Sequence, residues 1–165
     1  MTMRVGQGYD VHAFDTVSAD IPAEPSIVLG GVEIPSDKPL LAHSDGDVLI
    51  HALCDALLGA LALGDIGQHF PASDERYSDI DSRQLLRQVE QLIAGKGYRL
   101  LNADMTIVAQ RPVMAPYIPA MRQNISTDLS VEYDAISVKA TTTERLGFAG
   151  REEGIACYTT VLLQS

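Results

Sequence analysis

Between Val48 and Leu61 apolar residues recur at Val48, Ala52, Leu53, Ala56, Leu57, Ala60 and Leu61. This spacing of three and four predicts an amphipathic helix, closed by Gly64. A second helix is predicted from Asp81-Ser82 to Ala94, with Leu85, Leu86, Val89, Leu92 and Ile93 on one side and Gly95-Lys96-Gly97 as its terminator. A third is predicted over Pro116 to Leu129. The remaining segments read as strands. Arg4 to His12 is short and punctuated by glycine, and Ile27 to Ile34 resembles one strand with a glycine pair inside it. Leu100 to Gln110 has the apolar centre Met105 to Ala109, and Ala135 to Ala140 and Gly154 to Leu163 follow, the last rich in Thr, Val and Tyr. Together these elements predict one α+β domain over residues 1–165, with helices covering one face of a small sheet.

Composition narrows the partners. At 46% hydrophobic residues, a chain of 165 residues can bury a real core. Its 12 basic and 22 acidic residues leave a net charge of -10, with no Lys/Arg cluster to track a nucleic-acid backbone or an anionic membrane. An acidic protein that binds phosphates needs local help from metal ions, backbone N–H groups and helix N-termini. Cys54 and Cys157 lie far apart in apolar surroundings, which predicts reduced core residues. No stretch has the length of a signal peptide or a membrane span, so a cytoplasmic location is expected.

The candidate chemistry starts at Asp10 and His12. Two residues apart on an extended segment, they point to one face and can grip one ion. His51, one turn into the best helix, is the candidate third ligand, and Asp47 at i-4 or Asp55 at i+4 can orient its imidazole. Two imidazoles, one carboxylate and an open position suit catalytic zinc. On spacing alone, these histidines also fit hydrogen-bonded surface residues. His43-Ser44-Asp45-Gly46-Asp47 stands at a helix start, where free N–H groups attract phosphate, or where Ser44 or Asp45 is simply an N-cap. Gly64-Asp65-Ile66-Gly67 offers a carboxylate for a sugar diol, or a C-cap turn. Lys139-Ala140-Thr141-Thr142-Thr143-Glu144 is a run of hydroxyls ending in a carboxylate, suited to phosphate plus a hard cation or to an ordinary strand end.

Several long motifs, in this order, resemble one family: the 2-C-methyl-D-erythritol 2,4-cyclodiphosphate synthases of the non-mevalonate route to isoprenoid precursors. The resemblance runs from Arg4 to about Leu163. It is carried by Gly6-x-Gly8-x-Asp10-Val11-His12, the segment from Leu40 to Asp74, Ala109-Gln110-Arg111-Pro112 and the segment from Lys139 to Ala156. It implies Zn2+ on Asp10, His12 and His51, and Mg2+ or Mn2+ on Glu144 bridging the substrate's diphosphate. It implies that Asp10, Val11 and His12 border the substrate and that His43 and Ser44 meet phosphate. Asp65, Ile66 and Gly67 would hold the erythritol hydroxyls, and Phe70, Pro71, Ala72, Ser73 and Asp74 would line the pocket. Ala109, Gln110, Arg111, Pro112, Val113, Met114 and Ala115 would surround the cytosine, and Thr141, Thr142 and Thr143 would contact the nucleotide phosphates. Phe148 and Arg151 complete the matched set. The resemblance also implies a homotrimer of ferredoxin-like subunits with active sites at the interfaces. Val113 departs from the family, which often has a Lys there.

The implied reaction is an intramolecular phosphoryl transfer that closes a cyclic diphosphate and expels CMP. The attacking phosphate is already ionised at neutral pH, so the task is positioning and charge stabilisation, with His43 and Thr142 as candidate donors. A metal-dependent phosphohydrolase is the rival enzyme reading, and a structural zinc or nucleotide-binding protein the non-enzyme one.

Overall fold

The computed structural model of the chain describes residues 1–18, 21–71, 73–77 and 80–165. Its strands are β1 (Met3–Ala13), β2 (Ser26–Leu29), β3 (Val32–Pro35), β4 (Arg99–Val108), β5 (Ile136–Thr141) and β6 (Gly154–Gln164). Its α-helices are α1 (Val48–Ala60), α2 (Ile66–His69), α3 (Ser82–Gly95), α4 (Ile118–Asp128) and α5 (Gly147–Gly150), with 3-10 turns at Glu75–Tyr77 and Tyr133–Ala135.

Four strands form a mixed sheet in the order β1-β6-β4-β5. β6 runs antiparallel to both β1 and β4, whereas β4 and β5 are parallel. A parallel neighbour needs a crossover, and α4 supplies it. The succession therefore departs from a strict β-α-β-β-α-β order, because α4 stands between β4 and β5. One sheet face carries Ile155, Cys157, Val161 and Leu163 of β6, Met105 and Ile107 of β4, and Ile136 and Val138 of β5, all buried. They join Leu49, Leu53 and Leu57 of α1 and Leu86, Val89 and Ile93 of α3 in one core. Each fully buried Leu contributes about 2 kcal/mol by leaving water. The opposite face stays open, with Val5, Tyr9, Val11 and Tyr158 all exposed.

The sequence pattern and the structure part company in three places. Ile27 to Ile34 is not one strand but the hairpin β2–β3. Gly30 and Gly31 have φ of 59° and 67°, and two consecutive residues in the left-handed region turn the chain through a tight reversal. The third helix starts at Ile118, two residues later than Pro116. The short helices α2 and α5 span four residues each, too few for a helical period to show in the pattern.

Candidate metal centre

β1 alternates between the two sheet faces, so Gly6, Gly8, Asp10 and His12 share the covered face. The first two positions are where α1 is seated. A Cβ on Gly6 would stand 1.9 Å from the carbonyl oxygen of Ala56, and one on Gly8 would stand 1.9 Å from that of Ala52. Only glycine permits that approach, and it carries the first turns of α1 over the end of β1. His51 thereby meets Asp10 and His12.

Three donor atoms converge there. Asp10 Oδ2 lies 3.0 Å from His12 Nε2 and 3.1 Å from His51 Nδ1, and the two imidazole nitrogens are 3.3 Å apart. Ligands about 2.0–2.1 Å from a tetrahedral zinc lie about 3.3 Å from one another, so the donor set fits a metal with an open fourth position. This is the group of His, Asp, Glu or Cys side chains among the described residues that can hold an ion. The imidazole of His12 is turned by its other nitrogen, Nδ1, 2.9 Å from the carbonyl oxygen of Leu41. Burial pushes Asp10 upward, but hydrogen bonding with His12 and the closeness of both imidazoles outweigh it and hold the carboxyl at about 2. Burial likewise pushes His12 down, yet the hydrogen bond to Asp10 raises it above the usual histidine value.

The orienting partner of His51 is not the one expected. Asp47 is the N-cap of α1 and accepts the Ile50 N–H at 3.0 Å. Fully buried, it also accepts the N–H groups of Gly30 and Gly31 at 2.9 and 2.7 Å. Neither Ser44 nor Asp45 caps the helix. Asp55 accepts the Ile66 N–H at 2.7 Å, and burial, more than its neighbours, raises its pKa. His51 Nε2 instead meets Ser82 Oγ at 2.8 Å and Ser44 Oγ at 3.3 Å. Ser82 had no signal of its own, because a serine beside Asp81 at a helix start reads as capping, and Asp81 is indeed the N-cap of α3.

Other candidate residues are distributed unevenly. His43 is exposed on the loop before α1, next to half-buried Ser44. Asp65 is an N-cap, not part of a C-cap turn: it opens α2 and accepts from Gln68 N at 3.0 Å. Through Ile66 and Asp55 that turn is tied to α1 one helical turn beyond His51. The Phe70 ring meets Tyr77 edge-on at 5.3 Å, and Asp74 pairs with Arg76. Pro71 and Ser73 are exposed, and Ala72 lies outside the described residues.

The remaining candidates do not reach the three ligands. Asp10 pairs with Cys157, Cys157 with Ile107, and Ile107 with Ala140. One row thus crosses the sheet from Asp10 to Ala140, just before Thr141, over three strand spacings of about 4.8 Å, or about 14 Å. Thr142 Oγ1 donates to Glu144 at 2.9 Å in the exposed loop after β5. The Ala109 N–H donates to the Thr141 carbonyl at 3.0 Å, so the segment from Ala109 to Ala115 leaves β4 beside the end of β5. Arg111, Pro112 and Val113 line a cleft of about 750 Å³ with Gln110, Arg145 and Arg151. None of Asp10, His12 and His51 lines that cleft, and their convergent lone pairs mark the chemistry better than its volume does. Met114 is buried, Ala115 exposed, and Phe148 partly exposed on α5.

A family model, the YgbB family, matches residues 3–164. The 2-C-methyl-D-erythritol 2,4-cyclodiphosphate synthase of Cellvibrio japonicus is 61% identical over 165 residues, covering 100% of this chain and 99% of its own. That of Thioalkalivibrio sulfidiphilus is 60% identical, covering 99% and 98%. Among solved structures, the bifunctional IspDF of Campylobacter jejuni superposes with a TM-score of 0.88 at 41% identity, covering 98% of this chain and 42% of its own. IspF of Plasmodium falciparum, in a CDP complex, superposes with a TM-score of 0.82 at 37% identity, covering 98% and 95%.

Proposed function

Because the chain belongs to the YgbB family, we propose that it converts 4-diphosphocytidyl-2-C-methyl-D-erythritol 2-phosphate to 2-C-methyl-D-erythritol 2,4-cyclodiphosphate with release of CMP. The observation that carries this reading within the molecule is the convergence of Asp10, His12 and His51 at the end of β1.

The residues that would hold Zn2+ are Asp10, His12 and His51, and a second ion, Mg2+ or Mn2+, would sit on Glu144 against the diphosphate. Bound there, the ions supply Lewis-acid polarisation and neutralise phosphate charge. In the reaction an oxygen of the 2-phosphate forms a bond to the β-phosphorus while the bond from that phosphorus to the bridging oxygen breaks. CMP leaves with the electron pair. The attacking oxygen carries no proton at neutral pH, so no general base is required. What the chain must do is hold two phosphates of like charge together and in line. His43 and Ser44 would donate to the 2-phosphate beside the metal ligands, and Thr142 to the phosphoryl oxygens from the other sheet edge. Asp65 to Gly67, anchored through Asp55, would receive the erythritol hydroxyls. Backbone groups of Ala109 to Ala115 would read the cytosine, with Val113 pointing into solvent, 72% exposed.

The two ions would have to meet neighbouring phosphates of one substrate, and two edges about 14 Å apart in one subunit do not bring their ligands that close. We therefore read the active form as a homotrimer in which the β5 edge of one subunit completes the metal centre of the next. The open face carrying Val5, Tyr9, Val11 and Tyr158 supplies apolar surface that such an assembly would cover. We place the reaction in the cytoplasm, where the buried free thiols of Cys54 and Cys157 stay reduced. Among the described residues, no helix is long and apolar enough to cross a membrane.

The test is incubation with the cytidyl substrate and identification of both products. CMP together with the cyclic diphosphate supports the reading. CMP together with an uncyclised 2,4-bisphosphate would show that water, not the internal phosphate, is the nucleophile.

A further inference from the structure

Ser82 is the first residue of α3 and fully buried, yet its side chain does not cap that helix, since Asp81 does. Its hydroxyl stands between two groups. On one side His51 Nε2 is 2.8 Å away, and on the other Asp45 Oδ1 is in short contact. The Ser82 backbone N–H also donates to Asp45, to Oδ2, at 2.8 Å.

The donor count settles the direction of these bonds. A carboxylate only accepts, so the single hydroxyl proton of Ser82 goes to Asp45. The hydroxyl then has only lone pairs to offer His51, and the Nε2 nitrogen must carry the proton that it donates. Ser44 Oγ, at 3.3 Å, lies at the limit of reach and already accepts the Gly46 N–H. With the proton on Nε2, the neutral imidazole has its lone pair on Nδ1. That is the nitrogen that faces Asp10 Oδ2 at 3.1 Å and His12 Nε2 at 3.3 Å.

We infer that Ser82, held by Asp45, is a positioning residue that fixes the His51 tautomer and ring plane so that Nδ1 is presented to the metal. The inference rests on the proposed metal centre and deepens it. It also gives the segment from His43 to Asp47 a second task, because Asp45 ties the loop beside the phosphate site to the third metal ligand through the start of α3. Outer partners of this kind commonly change metal affinity about 10–100-fold when removed.

The test measures zinc affinity by competition with a chelator, and the visible spectrum of the Co2+-substituted protein, for Ser82→Ala, Ser82→Thr and Asp45→Asn. Melting of the metal-free proteins reports folding. Ser82→Ala should bind zinc about 10–100-fold more weakly and shift the Co2+ bands, because the imidazole is free to turn. Ser82→Thr, which keeps the hydroxyl, should recover much of the affinity. Asp45→Asn retains an oxygen for the Ser82 N–H and removes the anionic acceptor for the hydroxyl, so it should fall in the same direction and decides the matter if Ser82→Ala does not fold. Zinc affinity within about twofold of the parent in the folded Ser82→Ala or Asp45→Asn protein, with unchanged Co2+ bands, overturns the relay while leaving the metal centre standing. A His51→Ala protein that still binds zinc as the parent does overturns the metal centre itself.

Discussion

Gly8 of β1 lies directly against Ala52 of α1, so closely that a Cβ on the glycine would stand 1.9 Å from the Ala52 carbonyl oxygen. This contact sets the distance between the element that bears Asp10 and His12 and the one that bears His51. Gly8→Ala should destabilise the protein by about 1–3 kcal/mol, as overpacking of a close contact does. It should also lower zinc affinity, because α1 must lift. Denaturant unfolding and a zinc titration read the two effects, and parental values in both would show that the helix is not seated by the glycine.

Asp47 joins the hairpin to α1 by accepting three N–H groups, from Gly30, Gly31 and Ile50. In Asp47→Asn one oxygen becomes an NH2 group facing a donor. The variant should lose about 1–3 kcal/mol, the cost of an unsatisfied buried N–H group. Thermal or urea unfolding of the metal-free protein checks this, and an unchanged midpoint would contradict it.

The pH dependence of metal binding follows from His12. Burial favours its neutral form, but the hydrogen bond to Asp10 prevails and raises its pKa above 6.5. In the metal-free protein the stability gained from that pairing is complete below about pH 6.5 and is lost as pH rises through the raised folded value. Zinc binding runs the other way, since the ion must displace the proton from Nε2. Zinc affinity should rise with pH through that folded value and flatten above it. A flat profile from about pH 6 upward would remove His12 from the ligand set.

Tyr158 tests the assembly. It packs against Tyr9 with ring centroids 4.9 Å apart on the open sheet face and is 52% exposed. A charge buried between apolar faces costs several kcal/mol, so Tyr158→Glu should dissociate a trimer formed through this face. Light scattering should show monomers that keep zinc but no longer cyclise the substrate. Monomers with full turnover would break the shared-site picture.

Glu144 separates the two proposed ions. It lies in the exposed loop after β5, across the sheet from the three convergent ligands. Glu144→Gln should reduce turnover sharply, keep zinc, and recover in part at high Mg2+ or Mn2+ as mass action refills a weakened site. Loss of zinc in parallel, or normal turnover at low magnesium, would exclude this ligand.

Much of the architecture is written locally. The apolar period of α1 and α3, the alternation along β1 and β6, and the two-residue step from Asp10 to His12 are properties of neighbouring residues, and helical or extended geometry alone converts them into faces. The same holds for the tight turn at Gly30-Gly31, although its effect on the strand pattern shows only in three dimensions.

Local pattern therefore accounts for the set of elements, for the pair Asp10 and His12, and, through long ordered motifs, for the family. Tertiary structure alone decided which groups serve those ligands. Asp47 and Asp55 stand at helical spacing from His51, but stronger demands from unpaired N–H groups of Gly30, Gly31, Ile50 and Ile66 claim them. Ser82, 31 residues along the chain from His51, takes the imidazole because α3 packs its first turn against α1. The order β1-β6-β4-β5 likewise puts Asp10 and Thr141 on opposite edges. Hydrogen-bond satisfaction and strand order depend on contacts between distant segments, which no local period records.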